Sequence, residues 1–348
     1  GMTLRTKLAV ISTLLGLSLS AVNYGVNNLS MAPPTEPEWE IIPREEVAAG
    51  SVTVRFTGST TLLFDDGETS WMTDGWFSRP TFIEIITQRV EPDLSAISRG
   101  LKANEVDKLD AVIPLHSHYD HAMDSPEVAR RTGAKLYGSE STANIARGWG
   151  LDEGRIEIFT NKKPIVLGDF TITPIESNHF QFVDPEIAKT ALDLPTIDSP
   201  LVPPAPITNY RVGKSYVLQV EHPQGSFAIV GSAGFIEGGL RGFKADVLFL
   251  GVGSLGEQSD EYRQKYWEET VGRLEPSTVI PIHYDSLLGE PRGPVRGHSA
   301  LYGVMSGADN LNVLPYLEEN MSRSESVTSI ATLPRFTEVE VLPAMKTR

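Results

Sequence analysis

The sequence contains no cysteine, and its basic residues are far outnumbered by acidic ones. Without cysteine the chain can form no disulfide, no thiolate metal site and no thiol nucleophile. Its 30 Lys and Arg residues against 45 Asp and Glu residues give a formal net charge of −15. We therefore predict no nucleic-acid partner, because no basic surface is available to neutralise phosphates. Any metal would have to be held by nitrogen and oxygen ligands.

The N-terminus combines a basic start, an apolar stretch and small residues. Arg5 and Lys7 precede the apolar residues 8–19, and Ser20 and Ala21 follow. This pattern is typical of a secretory signal, and the apolar stretch is short for a membrane span. An ordinary N-terminal helix is the alternative. The pattern predicts export to the periplasm or to a membrane surface, with a cytoplasmic location as the alternative.

The 348 residues divide into three predicted parts. Residues 1–22 form the signal-like or helical segment, through which alone we expect any membrane association. Residues 23–50 are rich in proline, asparagine and glutamate and indicate a linker or arm. From residue 51 to residue 348, strand-like and helix-like segments alternate, which predicts one layered α/β domain.

The motif LHSHYDH at residues 115–121 contains three of the seven histidines of the chain. The apolar segment 110–115 predicts a buried strand before it, and Asp124 is the predicted capping residue of a helix after it. In an extended segment, residues two apart point the same way, so His116 and His118 can bind one ion. Asp120 and His121 then turn toward a neighbouring position. The motif predicts two adjacent metal ions.

Two later histidines also follow predicted strands. His179 comes after the strand 170–175 and would complete a three-imidazole site with His116 and His118. His283 comes after the strand 277–282 and would join Asp120 and His121. Imidazole and carboxylate ligands without thiolate suit Zn²⁺, with Mn and Fe as alternatives.

Two further polar residues lie at a predicted strand end and at a predicted turn. Asp74 ends a predicted strand, where it either orients the metal motif by a hydrogen bond or serves as a turn residue. His222 lies at a predicted hairpin turn, and we interpret it as a surface residue.

Two proline- and glycine-rich segments begin directly after predicted metal ligands. We predict that residues 180–207 and 284–298 form two walls of a substrate cleft. Apolar contacts would come from Phe180, Phe182 and Leu201. Arg292 or Arg296 would hold a carboxylate or phosphate, unless both are solvated surface charges.

The motif at residues 116–121, followed in order by His179 and His283, resembles the metallo-β-lactamase superfamily of metal-dependent hydrolases. The resemblance covers roughly residues 51–342. Gly58, Thr73-Asp74 and the segment 210–216 are similar to the branch that contains L-ascorbate-6-phosphate lactonase and N-acylphosphatidylethanolamine phospholipase D. The resemblance implies a four-layer αββα sandwich with the metals between the sheet edges.

The chain departs from this family at residues 231–234, Gly-Ser-Ala-Gly. The family commonly places a bridging aspartate there. Serine is a poor neutral ligand, so Ser232 is predicted to hydrogen-bond a water or the substrate instead. The number of bound ions, one or two, stays open.

These residues predict a hydrolase in which metal-activated hydroxide attacks an ester, lactone or phosphodiester bond of a small or lipid-like substrate. Asp120 would orient the water and accept a proton, and Tyr284 would donate a hydrogen bond to the intermediate. One alternative is a non-catalytic metal-binding protein on the same fold. Another is an oxidoreductase of the flavodiiron type, although that group typically has glutamate where His118 stands.

Overall fold

The computed structural model describes residues 3–28, 32–181, 195–298 and 313–343. Two seven-stranded sheets contain all strands of the described residues. The first sheet has the order β14-β1-β2-β3-β4-β5-β6 and the second β13-β12-β11-β10-β9-β8-β7. Each sheet is antiparallel on one side and parallel on the other, the change occurring at β3 in the first sheet and at β10 in the second.

The strands of the first sheet are β1 (Val52–Gly58), β2 (Thr61–Asp65), β3 (Ser70–Thr73), β4 (Ala111–Ile113), β5 (Lys135–Gly138), β6 (Ile156–Ile158) and β14 (Val339–Leu342). The strands of the second sheet are β7 (Ile165–Leu167), β8 (Phe170–Ser177), β9 (Ser215–His222), β10 (Gly225–Val230), β11 (Val247–Gly251), β12 (Thr278–Ile282) and β13 (Ser329–Ile330).

The helices of the described residues are α1 (Leu4–Asn28), α2 (Phe82–Ile86), α3 (Leu94–Ala103), α4 (Tyr119–Ala122), α5 (Ser125–Thr132), α6 (Glu140–Trp149), α7 (Asp260–Glu269), α8 (Val271–Leu274) and α9 (Val313–Arg323). Short 3-10 turns lie at Pro37–Trp39, Glu153–Arg155, Ile207–Asn209 and Leu255–Glu257. The predicted alternation of strands and helices from residue 51 onward is present.

The main core lies between the two sheets. Phe64 of the first sheet stacks on Phe227 of the second, with 4.5 Å between ring centroids, and Trp71 and Phe249 pack around this pair. Two further apolar clusters lie on the outer faces. One packs the first sheet against α3, α5 and α6, and the other packs the second sheet against α7, α8 and α9. Helices therefore cover both sheets, and the predicted αββα sandwich is confirmed.

The N-terminal helix α1 is longer than the sequence pattern predicted. It continues to Asn28, past the predicted boundary at residue 22, because the stretch contains no proline to end it. Its part Leu4–Gly25 is long and apolar enough to cross a membrane, which replaces the expectation of a stretch too short for a span. The sheet and helix domain begins at β1, near the predicted residue 51.

Two local interpretations of the sequence are wrong. Asp124 does not cap α5 with its side chain. Its carboxylate instead accepts hydrogen bonds from the backbone N–H groups of Phe77 and Ser78, at 2.8 and 2.6 Å. His222 is not a surface residue. Its side chain is 3% exposed and lies 3.0 Å from Asp66 Oδ2, because the hairpin turn faces the β2–β3 turn of the other sheet.

Candidate metal centre

The motif at residues 115–121 lies between the end of β4 and the start of α5. His116 follows β4, His118 precedes α4, and Asp120 and His121 lie within that single helical turn. Two hydrogen bonds anchor the segment between them. Leu115 N donates to Asp74 Oδ1 at 2.9 Å, and Ser117 N donates to Val212 O at 3.1 Å. The backbone is thus fixed from both sheets before any metal binds.

The structure brings His116, His118 and His179 together. Nε2 of His116 lies 3.1 Å from Nδ1 of His118, and one nitrogen of each of the three side chains lies within 4.8 Å of the others. Nδ1–H of His179 donates to Phe180 O at 2.8 Å, which makes Nε2 the nitrogen with the lone pair. This triad is the predicted three-imidazole site.

The second predicted triad also converges. Asp120 Oδ2 lies 3.4 Å from His121 Nε2 and 3.3 Å from His283 Nε2. The two imidazole nitrogens are 3.2 Å apart. His283, which follows β12, reaches this position with a left-handed backbone at φ +59°, a conformation that L-residues adopt rarely and mainly at constrained sites.

These separations fit transition-metal coordination. Two nitrogen ligands at 2.0–2.1 Å from a tetrahedral ion lie about 3.4 Å from each other. The close pairs in the two triads measure 3.1 to 3.4 Å. In the first triad, three neutral imidazoles that face one point have little reason to converge without a cation between them. The residues present therefore fit two adjacent metal ions.

Electrostatics keep the first triad in the form that binds metal. Burial, together with the neighbouring imidazoles, lowers the pKa of His116 and His179 well below the usual value. Burial also lowers the pKa of His118, to about 4. Neutral histidine is the ligand form, so these nitrogens need lose no proton on binding near neutral pH.

Asp120 is ionised in spite of its surroundings. Burial alone would raise the pKa of its carboxyl group. The positive charges of His121 and His283, and the hydrogen bonds that these two residues donate, have a larger effect and hold that pKa well below the usual value. The carboxylate can therefore act both as a metal ligand and as a hydrogen-bond acceptor.

Asp74 orients the second triad. Its Oδ2 lies 2.6 Å from Nδ1 of His121, and Thr60 Oγ1 lies 3.0 Å from the same nitrogen. A carboxylate behind a ligating histidine fixes its tautomer and ring orientation. The prediction that Asp74 hydrogen-bonds the metal motif is confirmed.

Sequence reasoning missed a second support for this triad, made by the turn between β1 and β2. Ser59 O accepts a hydrogen bond from His283 N at 2.9 Å, and Ser59 N donates to Asp285 Oδ1 at 2.6 Å. Gly58 precedes this turn with φ +140°, and a Cβ there would lie 2.4 Å from Asp285 Oδ2. Glycine is required at this position. The early glycine and the carboxylate two residues after His283 were the available signals.

Arg79 is another residue that the sequence did not reveal. Its guanidinium carbon lies 3.7 Å above the centre of the Trp76 ring, and Nη1 donates to Trp76 O at 3.2 Å. Among the described residues, its Nε and Nη2 are buried without a hydrogen-bond partner. The side chain lies beside Gly58 and Asp285, so it adds buried positive charge next to the second triad.

The predicted catalytic partners Ser232 and Tyr284 differ in position. Ser232 is 6% exposed, and its Oγ lies 3.5 Å from Asn178 O, next to His179. Tyr284 is 2% exposed and belongs to the apolar cluster on the outer face of the second sheet. Both catalytic roles stay predictions, and the packing of Tyr284 argues against a contact with substrate.

The predicted cleft walls are described only in part. Phe182 and the rest of residues 182–194 lie outside the described residues. The Phe180 ring lies 4.1 Å from the His179 ring, centroid to centroid. Leu201 packs against a small apolar cluster near α6, and its N–H donates to Asn144 O at 3.0 Å.

The two arginines of the second predicted wall are exposed. The Arg292 side chain is 79% exposed, with an ion pair to Glu290 at 3.8 Å, and Arg296 is exposed as well. Anion binding by either of them stays a prediction.

A third group of ligand-type residues, Asp66, Asp169 and His222, lies away from these triads. Nδ1 of His222 accepts a hydrogen bond from Gln224 N at 3.2 Å. Its Nε2 must then carry the proton that it donates to Asp66. Both nitrogens are used, so this group is a structural link between the two sheets.

Comparison with known proteins points to one family. Residues 73–193, which include five of the six triad residues, match the model of the beta-lactamase superfamily domain. A UPF0173 metal-dependent hydrolase of Methanopyrus kandleri is 26% identical over 216 residues, which cover 60% of this chain and 82% of that protein. One from Anaeromyxobacter sp. (strain K) is 28% identical over 138 residues, covering 38% and 45%.

Solved structures with a similar course of the chain include the metallo-beta-lactamase fold protein YhfI of Bacillus subtilis. It is 15% identical, with a TM-score of 0.45 over 84% of this chain and 99% of YhfI. Residues 73–193 are therefore similar to the beta-lactamase superfamily domain, and they contain most of the ligand-type residues of the two triads.

Proposed function

We propose that this protein is a metal-dependent hydrolase that cleaves an ester, lactone or phosphodiester bond in a small or lipid-like substrate. The observation that carries the proposal is the convergence of six ligand-type side chains into two adjacent triads. Zn²⁺ suits this donor set best, with Mn and Fe as alternatives. The narrower likeness to the lactonase and phospholipase D branch supports this range of bonds and stays a prediction.

His116, His118 and His179 would hold one ion, and Asp120, His121 and His283 the other. Bound there, the cations would polarise the scissile bond and lower the pKa of an attacking water. Asp120 is a buried carboxylate whose Oδ2 faces His121 and His283. We propose that its carboxylate also orients the water and accepts its proton.

Ser232 would act on the substrate side of the site. Its hydroxyl lies beside the backbone that carries His179, and a hydroxyl there can hydrogen-bond the water or a substrate oxygen. Tyr284 does not enter this proposal, because its ring is buried in an apolar cluster.

A panel of lactones, phosphodiesters, thioesters and β-lactams, tested with the metal-loaded protein, decides the proposal. We expect hydrolysis of at least one class, and its loss in Asp120→Asn. His222→Ala, a matched change outside the triads, should retain the activity. A protein that binds metal in both triads but hydrolyses no member of the panel would instead favour the non-catalytic alternative.

We further propose that α1 takes the chain out of the cytoplasm. Only 6% of its apolar span is buried within the protein, which is unlike a core helix. Arg5 and Lys7 at its start would stay on the cytoplasmic side and leave the catalytic domain outside. Mass spectrometry of the exported protein shows whether α1 is removed or retained.

A further inference from the structure

Among the described residues, helix α1 contacts the domain near its C-terminal end. Its large apolar side chains from Leu4 to Leu19 are exposed. Near the end of the helix, Val22 and Asn23 are partly buried and Gly25 is buried. The helix thus projects from the domain, and its last turns mark the point where it leaves the protein surface.

The short helix α2 lies at this point. It contacts α1, and Asn23 Oδ1 accepts a hydrogen bond from Ile83 N at 3.4 Å. Four of the five residues of α2 are apolar, yet none of them is buried. Ile83 is 38% exposed and Ile86 is 49% exposed. An apolar helix with no buried residue, placed where a longer apolar helix emerges, indicates a surface shared by both helices.

The length of α1 indicates where this shared surface would lie relative to a bilayer. The 22 residues of Leu4–Gly25 would extend about 33 Å as a helix, which matches the roughly 30 Å apolar thickness of a bilayer. If they cross the bilayer, Tyr24 lies at its outer boundary, where tyrosine is favoured. Helix α2 touches this end of α1 and therefore lies at the same level.

We propose that α2 is a second membrane contact, lying in the headgroup region of the bilayer that α1 crosses. The inference rests on the proposed export through α1. The partner is a zwitterionic phospholipid surface, because the chain carries a formal charge of −15 and the one charged residue of α2 is Glu84. An anionic surface would be repelled.

This contact would hold Ala205, in the described part of one predicted cleft wall, near the lipid. The chain continues from α2 to Val90, which pairs with Ala205 through two backbone hydrogen bonds of 2.9 and 3.1 Å. Ala205 belongs to the predicted wall at residues 180–207. Anchoring α2 would therefore also fix the position of Ala205 relative to the bilayer.

Because the chain has no cysteine, single cysteines can report on each surface. We would place one at Leu14→Cys in α1, one at Ile86→Cys in α2, and a control at Val166→Cys. Val166 is 69% exposed on β7, far along the chain from both helices. Each full-length variant is labelled with an environment-sensitive fluorophore and reconstituted into phosphatidylcholine vesicles.

We expect the labels at positions 14 and 86 to shift to shorter emission wavelength and to lose quenching by aqueous iodide. The label at position 166 should stay fully quenched. If position 14 is protected and position 86 is not, α1 is an anchor but α2 is not a membrane contact. If neither is protected, both the anchor and the α2 contact are wrong. Neither result bears on hydrolysis.

Protection of position 86 that also occurs without vesicles, and rises with protein concentration, would show a contact between copies of the chain and overturn the proposal. Ile83→Cys repeats the measurement on the same helix. Both isoleucines are exposed in the folded protein, so these substitutions are compatible with folding.

Discussion

The carboxylate of Asp74 lies 2.6 Å from Nδ1 of His121, with side-chain exposures of 0% and 1%. Asp74 Oδ1 at the same time accepts the N–H of Leu115 at 2.9 Å. One carboxylate therefore fixes both the backbone that enters the metal motif and the ring of a predicted ligand. Burial would lower the pKa of His121, but the carboxylates of Asp74 and Asp120 outweigh it and raise that pKa to about 10. These contacts hold the ring in place before any metal binds.

Asp74→Asn should weaken binding at the second triad by about 10- to 100-fold, the usual cost of losing a partner behind a metal ligand. The first triad should keep its affinity, because an amide oxygen can still accept the N–H of Leu115 that positions its backbone. Competition with a chelator measures both constants. Asp66→Asn changes another buried carboxylate that pairs with a histidine and should leave both constants unchanged. Equal affinities in Asp74→Asn and wild type would show that the contact does not support binding.

Purified protein should carry one to two equivalents of transition metal. His116→Ala should lose the ion of the first triad, and His283→Ala the ion of the second, because each removes one of three ligands. Elemental analysis after gel filtration gives the stoichiometry. His222→Ala serves as control, since its two nitrogens are used in hydrogen bonds. A His116→Ala or His283→Ala protein with the wild-type metal content would refute the assignment of that triad.

Ser232→Ala should keep the metal stoichiometry and alter turnover, because a neutral hydroxyl contributes little as a ligand. Ser232→Asp should tighten the second ion by adding a carboxylate. Metal content and turnover are measured on the same preparations. Loss of one metal equivalent in Ser232→Ala would mean that the hydroxyl is a ligand after all.

Arg292→Ala or Arg296→Ala should reduce kcat/KM on an anionic substrate by roughly 10- to 150-fold if that arginine binds the anion, which corresponds to about 1.5–3 kcal/mol. A neutral analogue should be unaffected. Arg44→Ala, another exposed arginine in an ion pair, is the matched control. Wild-type kinetics for both wall variants would leave them as solvated surface charges.

Glu127 should contribute stability that is lost in acid. Its side chain is 2% exposed and accepts hydrogen bonds from Arg130, Arg131 and Trp149. Burial would raise its pKa, but these bonds outweigh it and lower the pKa to about 2. Since the folded-state pKa lies below the unfolded value of about 4.3, the contribution is complete above that value and is lost as the pH falls toward about 2.

Urea unfolding of wild type and Glu127→Gln measures this contribution. The difference in unfolding free energy should be about 1–3 kcal/mol at neutral pH and should shrink steadily below about pH 4. Glu140→Gln, which removes an exposed partner of Arg147, should cost less than about 1 kcal/mol. A difference for Glu127→Gln that is independent of pH would show that its charge is not what stabilises the fold.

The amino-acid sequence alone determined the local parts of the site. The motif at residues 116–121 lies between a strand and a helix because an apolar run precedes it and Ser125-Pro126 begins a helix after it. His179 and His283 were placed at strand ends by the same local patterns. Periodicity and turn residues act over a few positions, so they specify such features without reference to the rest of the fold.

Only the tertiary structure decided the partners of several other side chains around the site and in the core. Asp124 is positioned to cap α5, but its carboxylate bonds to the backbone of Phe77 and Ser78, which lie 46 or 47 residues earlier. His222 is buried because a turn of the other sheet faces it. Asp285, which follows β12 of the second sheet, supports the second triad through Ser59, which lies in the turn between β1 and β2 of the first sheet. A polar side chain can bond to several different groups. The packing of the two sheets decides which of these groups lies close enough, and the spacing of residues in the sequence does not reveal that packing.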